Sequence, residues 1–524
     1  MTEKIKSKID KNFILFVILL LASFLRLYRI GDYMTFLGDE GRDVLVVYNI
    51  LHGHLTLLGP TSSVGGFFLG PIYYYFMAPF LWLFNYNPVG PAIMVALFGI
   101  ATVWLVYKFC ADLFNYKIGL IAAFLFSISP LVIAYSRSSW NPNPLPFFSL
   151  LGFYVLYKGV VNEKLKYFLL AGILLGISMQ LHYLAIFLGV AMILFVLLSE
   201  IYLKKEPLKL IKDLSKKYLY SFMGFLIGWS PFLAFEVRHG FPDFKSIINF
   251  VFHSGNTGPG AGFFEIIANV FFRVFGRLVV SFPPPEQYFH FNPLVLNLWI
   301  ALTLLVAFCA TGVLILYLLR SYGKKDFIKY LLLSDWFFVG IILFGFYKKN
   351  IYDYYFSFLF PLPFILTGIF IYKFFSFKRF PLFAKTFSVF IFLALFALNI
   401  QGVPFRYQPN RQLNQMETIS RFVLSKTGGK PYNFALITGG NSDFAYRYFF
   451  TVWGQPPVTI QNSVVDPKRT TVTSQLMVVC ESLPCQPLGN SLWEIAGFGR
   501  ADIAGKWNVS VVQVYRLVHY KGNK

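Results

Sequence analysis

The sequence predicts a polytopic α-helical membrane protein of about eleven transmembrane helices that carries a small C-terminal α/β domain. Three observations predict it. Of the 524 residues, 56% are hydrophobic, 20% aromatic and only 13% charged, and the mean hydropathy of +0.60 is far above that of an ordinary soluble chain. Apolar runs follow one another from the N-terminus to about residue 400, with Lys and Arg gathered in the short segments between them. After Gln401 the pattern changes to short Val- and Ile-rich runs bounded by Gly and Pro, interleaved with helix-like stretches.

The first span opens on MTEKIKSKIDK and continues as FILFVILLLASFL, which with its flanks reaches the roughly 20 residues needed to cross a bilayer core. Arg26 and Arg29 follow it where a cleaved leader would carry small residues, so the span is read as retained. Further runs lie at roughly 89–107, 118–135, 145–157, 167–181, 183–202, 218–235, 293–319, 330–347, 354–372 and 384–400. Counting along them, NEKLK, LKKEPLKLIKDLSKK, RSYGKKDFIK and KFFSFKRFPLFAK all return to the side of the N-terminus. Lys and Arg mark cytoplasmic loops, so the N-terminus is expected in the cytoplasm of a multi-pass plasma-membrane protein. The opposite side receives the acidic stretch at 38–43, SRSSWNPNP, the long segment from about 236 to 290, and YKKNIYDYY. The net charge of +22 is therefore a topology signal spread over loops, and it excludes the single basic module of a nucleic-acid binder.

Two domains are expected, a membrane domain over residues 1–400, whose first outer loop spans about 32–88, and an extracytoplasmic α/β domain over 401–524. The tail holds Cys480 and Cys485, for which a local disulfide and two free thiols are both open; Cys110 and Cys309 sit alone in apolar runs. No Cys/His metal signature is present.

The first outer loop begins FLGDEGRDVLVVYNILHGH, which places Asp39, Glu40 and Asp43 just beyond the first span of a chain poor in acids. One role for Asp39 is to cap the helix that follows, with Glu40 favourable in the first turn. That role leaves Arg42 and the long loop behind it unexplained. The continuation, GPTSSVGGFFLGPIYYYFMAPFLWLF, reads as interfacial helices and tight turns.

The Asp-Glu pair directly after the first span, followed by a small residue, a helix and then a Gly-Pro segment rich in Tyr, resembles the first outer loop of the C-type glycosyltransferase superfamily. The branch it resembles contains the dolichyl-phosphate-mannose protein mannosyltransferases and the bacterial aminoarabinose lipid A transferases. PLVIAYSRSSWNPNPLPFFSLLGFYVLYK, AGILLGISMQLHYLAIFLG and YDYYFSFLFPLPFILTGI resemble later elements of that branch, in order, and the resemblance covers roughly residues 10–400. The branch often carries a His- or Lys-Pro-Pro-Leu element late in the first loop; here Leu69 to Ile72 reads Leu-Gly-Pro-Ile, so the ligand of that element is missing.

The resemblance implies transfer of a sugar from a polyprenyl-phosphate donor to an acceptor hydroxyl of a protein, lipid or cell-envelope glycan on the outer face, usually with inversion. It implies Asp39 as general base, with Glu40 orienting the acceptor or helping to bind a divalent metal. A carboxylate within hydrogen-bond reach of the attacking hydroxyl is the usual base in sugar chemistry. The departing lipid phosphate calls for cations, and Arg42, Arg137, Lys348 and Lys349 are the outer-face candidates. His182, which ends the short fifth span, is a further substrate-binding candidate, and Tyr352, Asp353 and Tyr354 are stacking or hydrogen-bonding candidates for a sugar ring. Glu236, Arg238 and His239 end the seventh span, where lining the same substrate cavity and forming a polar helix cap are both open. The alternative class is a polytopic lipid or solute transporter or flippase, whose sites lie at broken helices within paired repeats; no symmetry between halves supports it.

Overall fold

The computed structural model describes residues 2–62, 64–204, 206–253, 262–347 and 349–522. The chain packs as two compact units, one comprising residues 1–28, 56–75 and 93–408, the other residues 29–55, 76–92 and 409–524.

The first unit is helical. Each apolar run expected in it coincides with a helix, because a segment that is apolar on every side satisfies its backbone internally and buries or exposes any face to lipid at no cost. Among the described residues six helices are long and apolar enough to cross a membrane by themselves, fewer than the eleven spans expected: Val89–Leu113, Leu145–Asn162, Ala185–Leu203, Pro293–Ser321, Phe327–Phe346 (its last turn 3₁₀) and Pro381–Gln401. Two bent pairs qualify when each is taken as one span. Pro207–Gly228 with Ser230–His239 bends by 74°, and Asp353–Leu359 with Pro361–Phe375 bends by 59°. Each second member carries Pro in its first turn, where the missing N–H is tolerated by the new helix but cannot continue the hydrogen-bond ladder of the one before it. The Gly-rich fifth run forms Leu165–Leu181, which lies against Pro207–Gly228 backbone to backbone. A Cβ on Gly172 would stand 2.0 Å from the Ser221 carbonyl oxygen and one on Gly224 2.0 Å from that of Leu169. Small residues spaced by four on both helices permit that approach.

The second unit holds the α/β domain. Its sheet contains β1 (Asn433–Ile437), β2 (Gln475–Cys480), β3 (Ala501–Val509) and β4 (Val512–His519) in the order β1-β2-β4-β3. β1 and β2 are parallel, and the other two pairings are antiparallel. The connection from β1 to β2 carries the helix Phe444–Val452, as a parallel pair requires a crossover. β2 is buried at every position, which accounts for the unbroken Leu-Met-Val-Val of its sequence. Ala435, Leu476, Val478, Tyr515 and Leu517 from the sheet pack with Ile495 and Phe498 as one core. Cys480, the last residue of β2, is bonded to Cys485, which resolves the alternatives left open for that pair. Residues 29–55 pack with this domain. Their helix Gly38–Leu51, hereafter the acidic helix, lies on the helix Phe444–Val452, and Phe36 sets its ring against Tyr448 and Phe449.

Candidate functional site

The acidic helix begins on glycine for a steric reason. A Cβ on Gly38 would stand 2.1 Å from Ser442 Oγ, and one on Gly41 2.3 Å from the Ala445 nitrogen. The two glycines of GDEG therefore face the α/β domain. The cap is Leu37, so Asp39 does not cap this helix: it lies in the first turn with its side chain 58% exposed and its carboxylate on Arg42 at 3.0 Å. Arg42 also reaches Asp43, which is fully buried, with Nε at 2.9 Å and Nη2 at 2.8 Å from the same oxygen. One guanidinium thus lies between two carboxylates. Glu40 turns the other way. It is 7% exposed and accepts the Leu37 N–H at 3.1 Å, the return half of a capping box whose other half a leucine cannot supply. Burial pushes its carboxyl up to about 7 against the opposing pull of the Leu37 amide, with Asp39 and Asp43 adding to the rise.

The three carboxylates do not converge, since Asp39 and Asp43 lie on Arg42 and Glu40 on the backbone. A divalent cation takes several oxygen ligands aimed at one point, and this helix does not fit one. Among the described residues no group of three or more His, Cys, Asp and Glu side chains is arranged to hold a metal.

The first unit encloses a cavity of about 1120 Å³. Its wall includes Tyr352, Tyr354 and Lys349 from the predicted set, together with Trp140, Arg273 and Arg277. Trp140 packs on Tyr354 at 4.3 Å between centroids, and Tyr352 is stacked on Tyr354 at 5.9 Å. Arg273 and Arg277 stand one turn apart along FFEIIANVFFRVFGR, on the helix Phe263–Gly276 and its cap. Asp353 holds both: Arg273 reaches one carboxylate oxygen through Nη2 at 2.5 Å and Nε at 2.9 Å, and Arg277 the other through Nε at 2.9 Å. Each arginine also grips a carbonyl oxygen, Ile351 at 2.7 Å for Arg273 and Phe282 for Arg277. Two guanidinium groups that would repel each other are thereby kept side by side at the cavity wall, with their Nε edges turned to Asp353.

Sequence reasoning missed Arg273 and Arg277. The available signal was the stripe Glu265, Asn269, Arg273 and Arg277, polar residues recurring every four positions along a helix apolar elsewhere. Of the other predicted residues, His182 is buried beside the cavity's aromatic wall. Its Nδ1 accepts the Leu184 N–H at 3.2 Å, and its ring stacks on Tyr183 and meets Tyr354 edge-on at 5.8 Å. Lys349 lies 5.8 Å from the Phe250 ring. Arg137 is buried at the end of the first span, donating to the carbonyl oxygens of Leu25 at 2.9 Å and Tyr28 at 2.8 Å, with Phe405 under its guanidinium. Lys348 lies outside the described residues. The place of the missing family element is structural: the Ile72 N–H donates to Gln180 Oε1 at 3.1 Å, and a Cβ on Gly70 would strike that same side chain.

A sequence model of the family described as dolichyl-phosphate-mannose-protein mannosyltransferase matches residues 69–235. The putative mannosyltransferase YycA of Bacillus subtilis (strain 168) is 29% identical over 138 residues, a match that covers 26% of this chain and spans only 20% of that protein's length. Among solved structures, ArnT from Cupriavidus metallidurans in the apo state superposes with a TM-score of 0.63 at 10% identity, over 97% of this chain and 98% of that one. The same protein bound to undecaprenyl phosphate gives 0.59 at 11% identity, over 96% and 97%. The archaeal oligosaccharyltransferase AglB from Archaeoglobus fulgidus, in complex with an inhibitory peptide and a dolichol-phosphate, gives 0.52 at 13% identity, over 90% of this chain and 69% of that one.

Proposed function

We propose that this chain is a C-type glycosyltransferase, which moves a sugar from a polyprenyl-phosphate carrier to an acceptor hydroxyl on the outer face of the membrane. The single observation that carries this reading is the cavity of the membrane unit, where Asp353 presents Arg273 and Arg277 side by side next to an aromatic wall. Undecaprenyl phosphate bound to ArnT and dolichol-phosphate bound to AglB support the same class of donor.

In this reading the acceptor oxygen attacks the anomeric carbon as the bond from that carbon to the phosphate oxygen breaks. The proton of the acceptor hydroxyl goes to Asp39, the configuration inverts, and polyprenyl phosphate leaves with the bonding pair. Asp39 suits the base role because it is reachable from solvent and turned by Arg42. Glu40 is buried in the helix cap, so its part is to hold the first turn rather than to meet the acceptor. Arg273 and Arg277, with Lys349 on the same wall, offer cationic groups to a lipid phosphate. Trp140, Tyr352 and Tyr354 offer flat apolar faces to a sugar ring. Arg137 and His182 shape the surroundings through the carbonyl and ring contacts they already make. The N-terminus lies in the cytoplasm and the α/β domain outside.

The test is consumption of a panel of polyprenyl-phosphate sugars by the purified chain in lipid, with protein, lipid and glycan acceptors supplied in turn. The reading stands if one donor is consumed by the unmodified protein and spared by Asp39→Asn while that variant still binds it. It falls if no donor in the panel is consumed.

A further inference from the structure

A helix leaves its first four N–H groups without partners inside the helix, and something must receive them. Leu37 has no side-chain acceptor to offer at the cap of the acidic helix. The Leu37 N–H is met by Glu40, and the Gly38 N–H donates to Asn441 Oδ1 at 2.9 Å. Asn441 belongs to the loop that follows β1, 403 positions along the chain, so this end of the helix is capped from the α/β domain.

Asn441 is itself held in one orientation. Its Oδ1 also accepts the Ser442 N–H at 2.9 Å, and its Nδ2 faces both carboxylate oxygens of Glu481 at 3.2 Å. Turning the amide over would set its NH2 against two N–H donors and its oxygen against a carboxylate, so only one arrangement satisfies both sides. Glu481 is fixed in turn by the Thr438 hydroxyl at 2.8 Å and the Tyr446 hydroxyl at 2.8 Å. Its own N–H donates to the Ile437 carbonyl oxygen at 2.9 Å, and it follows Cys480 directly inside the disulfide loop. Among the described residues no ion pair with a Lys or Arg is made by Glu481, so four hydrogen-bond contacts from three side chains are what hold this carboxylate in place. The chain of contacts runs from the end of β2 through Glu481 and Asn441 to the first peptide of the acidic helix, one residue before Asp39. The close approach at Gly38 and Gly41 leaves the helix no room to slide along the domain.

We propose that Asn441 and Glu481 are positioning residues for the reaction at Asp39: they fix the height and rotation of the helix N-terminus, and through it the point at which the Asp39 carboxylate meets the acceptor. The proposal rests on the reading of Asp39 as general base. Displacing a reacting group by about 1 Å costs on the order of 100-fold in rate, which is the scale of effect a lost cap produces here.

The experiment is single-turnover consumption of the donor identified by the panel above, by the full chain in lipid, for Asn441→Ala and Glu481→Gln, each alone and combined with Asp39→Asn. Asn441→Ala is expected to lower the turnover rate about 10- to 100-fold with donor affinity within about twofold of the unmodified protein. Glu481→Gln keeps the shape but sets its NH2 against the Asn441 Nδ2, which faces both carboxylate oxygens, and a loss of about 3- to 10-fold follows. In the Asp39→Asn background neither substitution lowers the residual rate further, because the group they position is gone. Equal fold losses in both backgrounds, or an unchanged rate in Asn441→Ala, overturn the proposal. If Asn441→Ala does not fold, Glu481→Gln and its double variant make the same comparison. An unchanged rate in Asp39→Asn alone is a distinct result, which overturns the base assignment and this proposal with it.

Discussion

The cavity of the first unit and the acidic helix of the second are built on opposite plans. In the cavity two cations, Arg273 and Arg277, are held by one carboxylate, Asp353. On the acidic helix two carboxylates, Asp39 and Asp43, are held by one cation, Arg42. Each triad keeps like charges close through a shared counter-ion and leaves an excess of one sign, positive in the triad on the cavity wall, which Glu265 and Glu286 also line, and negative in the triad on the helix. The difference lies in where the counter-ion comes from. Arg42 is three residues from Asp39 and next to Asp43, so the acidic triad forms wherever that helix forms. Asp353 is separated from its arginines by 80 and 76 positions, so the basic triad exists only when the Phe263–Gly276 helix and the Asp353–Leu359 turn are packed. Local charge pairing survives a disturbance of the fold, whereas a tertiary triad does not.

The sharpest way to break the comparison is to exchange the signatures of the two triads. Asp39→Asn is expected to lower turnover by about 10²- to 10⁴-fold with donor binding retained, measured as rate and as equilibrium binding of the same donor. If the loss falls on donor affinity instead, the acidic triad belongs to the donor rather than to the acceptor.

Glu40 sharpens the contrast from within the same helix, because it stands outside the triad and bears on stability. Its folded value of about 7 lies above the ordinary 4.5, so the folded chain holds a proton that the unfolded chain gives up. The stability from this group is full below about pH 4.5 and is lost as pH rises through about 7. At 1.36 kcal/mol per pH unit between those values, the loss amounts to roughly 3 kcal/mol. Thermal denaturation in lipid between pH 5 and pH 8 is expected to show a decline in midpoint that Glu40→Gln flattens. An unaltered decline in that variant assigns it to other groups.

For the cavity, Arg273→Ala or Arg277→Ala is expected to weaken donor binding by about 10- to 100-fold, the equivalent of a charge-assisted hydrogen bond lost, with the bound-state rate changed less. The Asp353→Asn variant frees both arginines, and a similar loss there is expected if their side-by-side placement is what binds the phosphate. The smallest effect belongs to the disulfide. Replacing Cys480 and Cys485 together by Ser releases a loop of six residues, which the chain-entropy estimate values at about 2 kcal/mol. The expected reading is a modest fall in midpoint, together with a few-fold fall in rate through Glu481.

Much of this was legible along the chain. Hydropathy placed the apolar helices because composition is a property of a single segment, although of the eleven spans expected only six, or eight with the two bent pairs, are long and apolar enough to cross a membrane among the described residues; GDEGRD announced a charged helix start because its partners lie within one turn. The shift of pattern after Gln401 separated off the sheet-bearing tail for the same reason, since strand and helix periods are local properties. Other features were not legible. Arg137 stands in the sequence like any outer-loop cation, yet the fold turns it inward onto the carbonyl oxygens of Leu25 and Tyr28. Arg273 and Arg277 look like interruptions of an apolar helix until Asp353 is brought to them, and Asn441 looks like a turn residue until Gly38 is placed under it. The sequence by itself determined the membrane class, the positions of the apolar helices and the acidic start of the first loop, all of which follow from interactions reaching no more than a few residues. Only the tertiary structure decided which charges face a cavity, which are consumed in packing and which cap a helix 403 positions away, because those outcomes depend on contacts whose partners the chain brings together only when it folds.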